Sequence, residues 1–315
     1  MDKLNIELSY PLIYTHSDSF HVDELAAIAL LSRYWFNLPV ADLSIIRTRD
    51  PETLKMAKES DNFVIDVGQV FDATKKNFDH HQSDPNLIWE DTSDRIPLSS
   101  CGLIFNWLKK HSQSFKAEHH LVKQLLRNFA IRIDKNDNGV KLWDSGYLFN
   151  NYNRSSVSES EQYIQFRKAL EAMEGYLDNI IYQQNEMIEA ETLVPKAIEE
   201  SVLNGHPHLI ILDKSIKDAR AMLTDTKAIY MATVYEKEIA IETIQSVKGD
   251  VFSAKRDMPK DWCGLRDKEL QDKSGFNLNF CHKGGFLTIM YGTSREELFK
   301  VVDTIMKMEP YKNGY

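Results

Sequence analysis

Three short apolar runs near the start of the chain, each separated from the next by a helical stretch, constrain its fold more than any other feature. Residues 11–15 (PLIYT), 43–47 (LSIIR) and 62–68 (NFVIDVG) read as buried strands, the last stopped by Gly68. Between them lie an Ala- and Leu-rich helical stretch from Val22 to Tyr34 and a second helix over 51–59 (PETLKMAKE), with Pro51 in its first turn. Strands alternating with helices imply parallel βαβ units. Ligands of such sheets bind beyond the carboxyl ends of the strands. His16 and Asp66 both fall at such ends.

Helices are expected next over 99–111 and 118–133, then a polar loop over 150–161 (NNYNRSSVSESE). Tyr163, Phe166, Leu170, Met173, Leu177 and Ile180 recur at spacings of three and four, the mark of a packed helical face. Helix continues from Leu193 to Leu203 and stops at Asn204-Gly205. A second α/β unit follows. HLIILD (208–213), AIYMATVYE (228–236), EIAIETIQ (238–245) and FLTIMY (286–291) read as strands, the middle two paired as a hairpin, and residues 294–308 close the chain as an amphipathic helix. The expected class is α/β: a parallel-sheet N-terminal domain over 1–155, a helical connector over 156–205, and a smaller α/β C-terminal domain over 206–315.

A chain of 315 residues supports two domains of ordinary size. The longest uninterrupted apolar run, Leu25–Leu31, is far too short to cross a bilayer, so no membrane partner is expected. The start lacks a basic segment followed by an apolar core, and its acidic Asp2 and Glu7 argue against a transit peptide. Cys101, Cys263 and Cys281 are scattered without metal-knuckle spacing, as expected of buried thiols in a reducing, cytoplasmic compartment. A net charge of -9 argues against coating duplex nucleic acid through a basic face. It leaves room for a phosphate-processing enzyme whose bound cations offset the acid locally.

The chemistry concentrates in four segments. THSDSFHVDE (15–24) places His16, Asp18, His21 and Asp23 directly after a strand. Imidazole with carboxylate suits Mn, Fe or Zn, whereas an excess of carboxylate suits Mn or Mg. The same residues also make a plain capped turn. VIDVG puts Asp66 on a rigid strand end, where an Asp often merely begins a turn. FDHHQ (78–82) sets a ligand, its neighbour and a supporting carboxylate in one turn. RIDKNDNG (132–139) closes a helix with Asp134 and Asp137 before an Asn-Gly turn. Together they fit two cations bridged by a carboxylate, the apparatus of in-line phosphoryl hydrolysis.

The order His…Asp, strand-end Asp, Asp-His-His and a late Asp resembles the DHH phosphoesterase superfamily. THSDSFHVDELAAIALL, IIRTRDPE, DVGQVFD, FDHHQ, LSSCGLIF, DNGV, GLRDKEL and FCHKGGF follow in register the pattern of the melanocyte-proliferating-gene family of exonucleases, described as metal-dependent hydrolases. Asp18 departs from that pattern, which usually has a small or amide residue there. The resemblance implies that His16, His21, Asp23, Asp66, His80 and Asp134 are metal ligands, Asp66 the bridge, Asp79 its support and His81 a neighbour of the scissile phosphate, with Asp137 a further candidate. It implies two divalent cations, Mn²⁺ foremost and Mg²⁺ or another divalent ion as alternatives. It also implies 3′-to-5′ exonuclease action on RNA or short oligonucleotides.

Substrate contacts are expected from Arg47 and Arg49, and from the turn His282, Lys283, Gly284 and Gly285, whose glycines let backbone amides approach a phosphate. Trp262 is a candidate base-stacking platform among Lys255, Arg256, Arg266 and Lys268. Two rivals stay open: a small-molecule phosphoesterase of pyrophosphatase or nucleotidase type, and a metal-binding protein without turnover. The sequence also leaves the oligomeric state open, with a homodimer as one candidate.

Overall fold

The computed structural model describes residues 12–82, 86–90, 92, 94–140, 145–250 and 253–312. It divides into two compact units, Met1–Gln184 and Asn185–Tyr315.

The first unit is built on the expected strand–helix alternation. Strand β1 (Ile13–Thr15) leads through a loop to helix α1 (Val22–Leu31), then β2 (Ile45–Arg47), α2 (Pro51–Glu59) and β3 (Phe63–Ile65). Two shorter strands follow, β4 (Phe71–Asp72) and β5 (Asn77–Phe78), which residue patterning alone did not mark. The sheet order is β2-β1-β3-β5-β4, parallel except for the β4–β5 pair. Both faces are covered, so β3 is apolar and buried throughout. Helix α1 is buried along its whole length, and a π-turn over Ser32–Phe36 takes up the rest of the helix expected to reach Tyr34.

Helices α3 (Ser100–His111), α4 (Gln113–Ala117), α5 (His120–Asp137) and α6 (Ser145–Asn150) complete this unit with the first part of α7 (Glu159–Leu203). Helix α5 runs one turn beyond its expected end. The expected loop over 150–161 is correspondingly shorter, because α7 begins at Glu159. The division between units falls inside α7, which was expected as part of a connector.

The second unit holds a five-stranded sheet of order β6-β7-β8-β10-β9, with strands β6 (Leu209–Leu212), β7 (Tyr230–Val234), β8 (Glu238–Thr243), β9 (Leu278–Cys281) and β10 (Leu287–Tyr291). Only β6–β7 is parallel; β7–β8 is the expected hairpin. Helices α8 (Ala219–Met222), α9 (Asp267–Ser274) and α10 (Arg295–Lys307) accompany it. Its core gathers Tyr230, Ile239, Ile241, Met258, Trp262, Leu278, Met290 and Val301.

Candidate metal centre

The carboxyl ends of β1, β3 and β5 deliver the functional groups. His16 follows β1 and is 2% exposed. Asp66 follows β3 with φ +56°, a left-handed conformation that Asp tolerates better than most residues. Asp79, His80 and His81 follow β5. Helix α1 brings its first turn to the same place. His21 is its N-cap, and the Glu24 carboxylate accepts the His21 amide at 2.8 Å in a capping box. The final turn of α5 brings Asp137.

These groups meet around Asp66. Its Oδ2 lies 3.2 Å from His16 Nε2 and 3.8 Å from His21 Nδ1, and Glu24 Oε1 lies 3.0 Å from the same His16 nitrogen. Its Oδ1 lies 3.3 Å from His80 Nε2 and 3.6 Å from His81 Nδ1. His80 Nε2 is in turn 3.2 Å from Asp137 Oδ2 and 3.9 Å from Asp23 Oδ2. Among the described residues, three sets of ligand atoms lie mutually within 4.8 Å: His16, His21, Glu24 and Asp66; Asp66, His80 and His81; His21, Asp23 and Asp137.

The donor set fits cations. His16 Nε2, Asp23 Oδ1, Glu24 Oε1 and Asp66 Oδ2 are buried atoms without a hydrogen-bond partner. Buried polar groups are nearly always satisfied, so a convergent set of unsatisfied donors and acceptors marks a place where another group binds. His16 Nδ1 lies 3.0 Å from the Ser17 carbonyl, which can only accept. Arg49 Nη2, a donor, lies 3.0 Å from the same Nδ1, so it is Nε2, facing Glu24 and Asp66, that is turned toward the cluster. Mixed imidazole and carboxylate suit a hard-to-borderline divalent ion.

The electrostatics describe the same excess of acid. Burial opposes a charge on His16, but Glu24 and Asp66 overcome it and raise its pKa to about 10. Burial likewise opposes ionisation of Asp66, and the imidazoles of His16, His21 and His80 nevertheless hold it well below the usual carboxylate range. Asp23 is pushed well above that range by burial and by Asp66 and Asp137. Asp137 is raised chiefly by burial. Protons held on such groups are what a divalent cation displaces on binding.

Asp79 and His81 form a pair at the edge of the cluster. Asp79 Oδ1 lies 2.6 Å from His81 Nδ1, and the carboxylate also accepts the amides of His81 and Gln69. Asp79 is 1% exposed. Among these contacts the His81 ring spends Nδ1 on Asp79, which leaves Nε2 for a ligand.

The cluster includes two acids outside the ligand set implied by resemblance. Glu24 lies in the 15–24 segment with no role assigned from the sequence; one of its oxygens caps α1 and the other reaches His16. Asp137 was only a further candidate. Asp134, by contrast, stands apart from the cluster. Its Oδ1 accepts from Ser99 Oγ and from the Gly102 amide at 3.0 Å, and its Oδ2 accepts from Trp89 Nε1 at 2.7 Å. The reason is the extra turn of α5: with the helix carried to Asp137, Asp134 lies within the helix against α3 rather than in a terminal loop. Burial raises the Asp134 pKa to about 7 against the lowering by these donors.

Several expected substrate contacts are also placed differently. Arg47 is buried against the rings of Phe20 and Phe166, and donates to Glu159 Oε1 at 2.9 Å and to the Asp18 carbonyl at 2.6 Å. It braces the loop that carries His16 and His21. Arg49 is more exposed and sits 3.0 Å from His16 Nδ1 and 3.3 Å from Asp18 Oδ2. In the second unit Trp262 is 0% exposed, so a core position replaces the expected stacking platform. Lys255 spends its ammonium on the carbonyls of Leu223, Thr226 and Ala228, Arg256 donates to the Met306 and Met308 carbonyls, Lys268 pairs with Asp272, and Arg266 lies over Phe280. In the turn after β9 the Gly284 amide donates to His282 Nδ1 and the Gly285 amide to the His282 carbonyl. These amides therefore stabilise the turn instead of cradling an anion. Lys283 is exposed at its tip.

Among the described residues no helix is long and apolar enough to cross a membrane. The three cysteines are free thiols.

Comparison with known proteins identifies the family of the chain. A family model, MYG1 exonuclease, described as an uncharacterised protein family (UPF0160), matches residues 12–302. The MYG1 protein of Dictyostelium discoideum is 30% identical over 307 residues, spanning 87% of this chain and 91% of that protein. The human MYG1 exonuclease is 27% identical over 314 residues, spanning 88% and 81%. A MYG1 protein of Chlamydia pneumoniae is 28% identical over 294 residues, spanning 90% and 92%. Among solved structures, RecJ of Thermus thermophilus in complex with Mg²⁺ aligns with 96% of this chain and 51% of its own, at 11% identity. Its TM-score of 0.25 is too low for that likeness to carry an argument. On the extent of the family match and the identity to its relatives, the chain belongs to the MYG1 exonuclease family.

Proposed function

We propose that this chain is a metal-dependent phosphodiester hydrolase, a 3′-to-5′ exonuclease acting on RNA or short oligonucleotides, with two divalent cations, Mn²⁺ foremost, sharing Asp66. The observation that carries the reading is the division of labour at Asp66. One oxygen faces His16, His21 and Glu24; the other faces the side that holds His80, Asp137 and Asp23. The name exonuclease borne by several relatives supports the choice of substrate class.

When bound, such cations acidify a water and neutralise charge on a phosphoryl group. The protein's own residues supply the rest. His16, His21 and Asp66 would hold one ion with Glu24 beside them, and Asp23, Asp66, His80 and Asp137 the other. Asp79 fixes the His81 tautomer, so that Nε2 can hold or release a proton at the leaving oxygen. Arg49 stands beside His16 with its guanidinium partly exposed, placed to pair with a phosphate oxygen. Arg47 acts on the substrate only through the loop it braces. Lys283 is the group of the His282–Gly285 turn that remains for a phosphate. Free thiols suit a cytoplasmic protein.

A small-molecule phosphoesterase is the second reading. The acidic net charge and the internally bonded glycine amides favour it. One panel tests both: end-labelled RNA, single-stranded DNA, dinucleotides, mononucleotides and pyrophosphate, each with Mn²⁺, Mg²⁺ or chelator. Stepwise loss from the 3′ end of RNA with Mn²⁺, abolished by chelator, is expected. Turnover confined to pyrophosphate or mononucleotides would overturn the exonuclease assignment.

A further inference from the structure

The N-terminus of α3 abuts the metal centre. The Ser100 amide donates to Asp23 Oδ2 at 3.2 Å, which leaves Asp23 Oδ1 as the unsatisfied oxygen. The Ser100 hydroxyl donates to the Phe78 carbonyl at 3.0 Å, the last residue of β5 and two before His80. One helical turn thus orients one acid of the cluster and anchors the strand that carries another ligand candidate.

That turn is seated by Asp134. The carboxylate is 0% exposed and accepts from Ser99 Oγ and the Gly102 amide, the residues flanking the Ser100 contact, while Trp89 holds its other oxygen. The fit is tight. A Cβ on Gly102 would lie 2.0 Å from Asp134 Oδ2 and 2.8 Å from Leu98 Cδ2. Gly102 is therefore required for the approach of α5 to α3, at a φ that any residue adopts. Three of the roughly four acceptor sites of this carboxylate are thus taken by donors, and Asp134 is not among the described residues whose ligand atoms converge on the cluster.

We propose that Asp134 is a positioning residue of the metal centre: it seats the first turn of α3, and through Ser100 sets the orientation of Asp23 and of the β5 end that bears His80. The proposal rests on the two-cation reading above and corrects the ligand role that resemblance assigns to Asp134. It acts as the supporting groups of metal sites do, by fixing the direction of a ligand rather than by binding the ion.

The test is Mn²⁺ titration by calorimetry of the full chain, with the melting temperature of each metal-free variant alongside. Wild type is expected to bind two ions, and Asp137→Asn to lose one. Asp134→Ala is expected to keep both while its weaker site loses about 10–100-fold in affinity. Asp134→Asn keeps an oxygen acceptor for Ser99 and Gly102, so it should recover most of that loss. Should Asp134→Ala fail to fold, Ser99→Ala removes one anchor and should weaken the same site by less. Loss of one ion in Asp134→Asn, as in Asp137→Asn, would show a ligand and overturn the proposal. A lowered melting temperature with wild-type affinity would reduce Asp134 to a structural role and equally overturn it. Wild type binding no Mn²⁺ would instead overturn the two-cation reading and the proposal with it.

Discussion

Asp66→Asn is the sharpest perturbation of the centre, and the backbone makes it clean. Asp66 sits at φ +56°, a region Asn populates readily, so the substitution leaves the turn unstrained. It removes one negative charge from a site where Oδ2 faces His16 and His21 and Oδ1 faces His80 and His81. It also places an amide NH₂, a donor, toward one of the two sets. At least one cation should therefore be lost. A ligand that binds only the native state stabilises it by about 2.7 kcal/mol at a hundred times its Kd. For a unit of the size of Met1–Gln184, each kcal/mol moves the melting temperature by about 2–4 °C. Each cation is thus worth a rise of about 5–11 °C under those conditions. Differential scanning calorimetry of wild type and variant, with saturating Mn²⁺ and with chelator, reads that shift. The Asn variant should show a rise smaller by at least that amount and no phosphodiester turnover. A full wild-type rise in the variant would refute the shared role of Asp66.

Other substitutions separate the remaining roles. His80→Ala, which removes a nitrogen within 3.3 Å of both Asp66 and Asp137, should weaken Mn²⁺ affinity, whereas His81→Ala should lower kcat more than affinity, each by about 10–100-fold; metal titration and steady-state rates distinguish them, and equal affinity losses would end the division. Lys283→Ala should raise KM for an oligonucleotide well above its effect on a small phosphodiester, since the contact exists only with the longer ligand; a proportional effect on both would remove the turn from recognition. Trp262→Ala should cost the second unit about 3–5 kcal/mol, because the ring is 0% exposed in the core; denaturant unfolding measures this, and an unchanged midpoint with a raised KM would restore the stacking role.

The local pattern was enough to place much of the centre. Apolar runs ending at His16 and Asp66 marked two strand ends, and the alternation with helices forced those ends onto one edge of a parallel sheet. Asp79, His80 and His81 stood out through the FDHHQ motif, although the two-residue strand before them was too short to leave a periodic signal. The second sheet was legible for four of its described strands. Its β9 was missed because LNFC, as long as the legible LIIL of β6, is interrupted by Asn279 and shows neither a continuous apolar run nor alternation.

What tertiary structure decided was direction and partnership. Asp134 and Asp137 lie three residues apart in one polar stretch, and nothing in that stretch distinguishes them. Only the packing of α5 against α3 does, by meeting Asp134 with Ser99, Gly102 and Trp89 and leaving Asp137 beside His80. Glu24 caps α1 through the His21 amide, and only the loop from β1 brings His16 to its second oxygen. Arg47 and Trp262 look like surface recognition groups until Phe20, Phe166 and the second core close over them. A sequence records which groups a chain can offer, through periodicity and spacing along a strand or helix. Which of those groups remain unsatisfied in the folded state depends on donors supplied from dozens of residues away, and it is the unsatisfied ones that converge on Asp66.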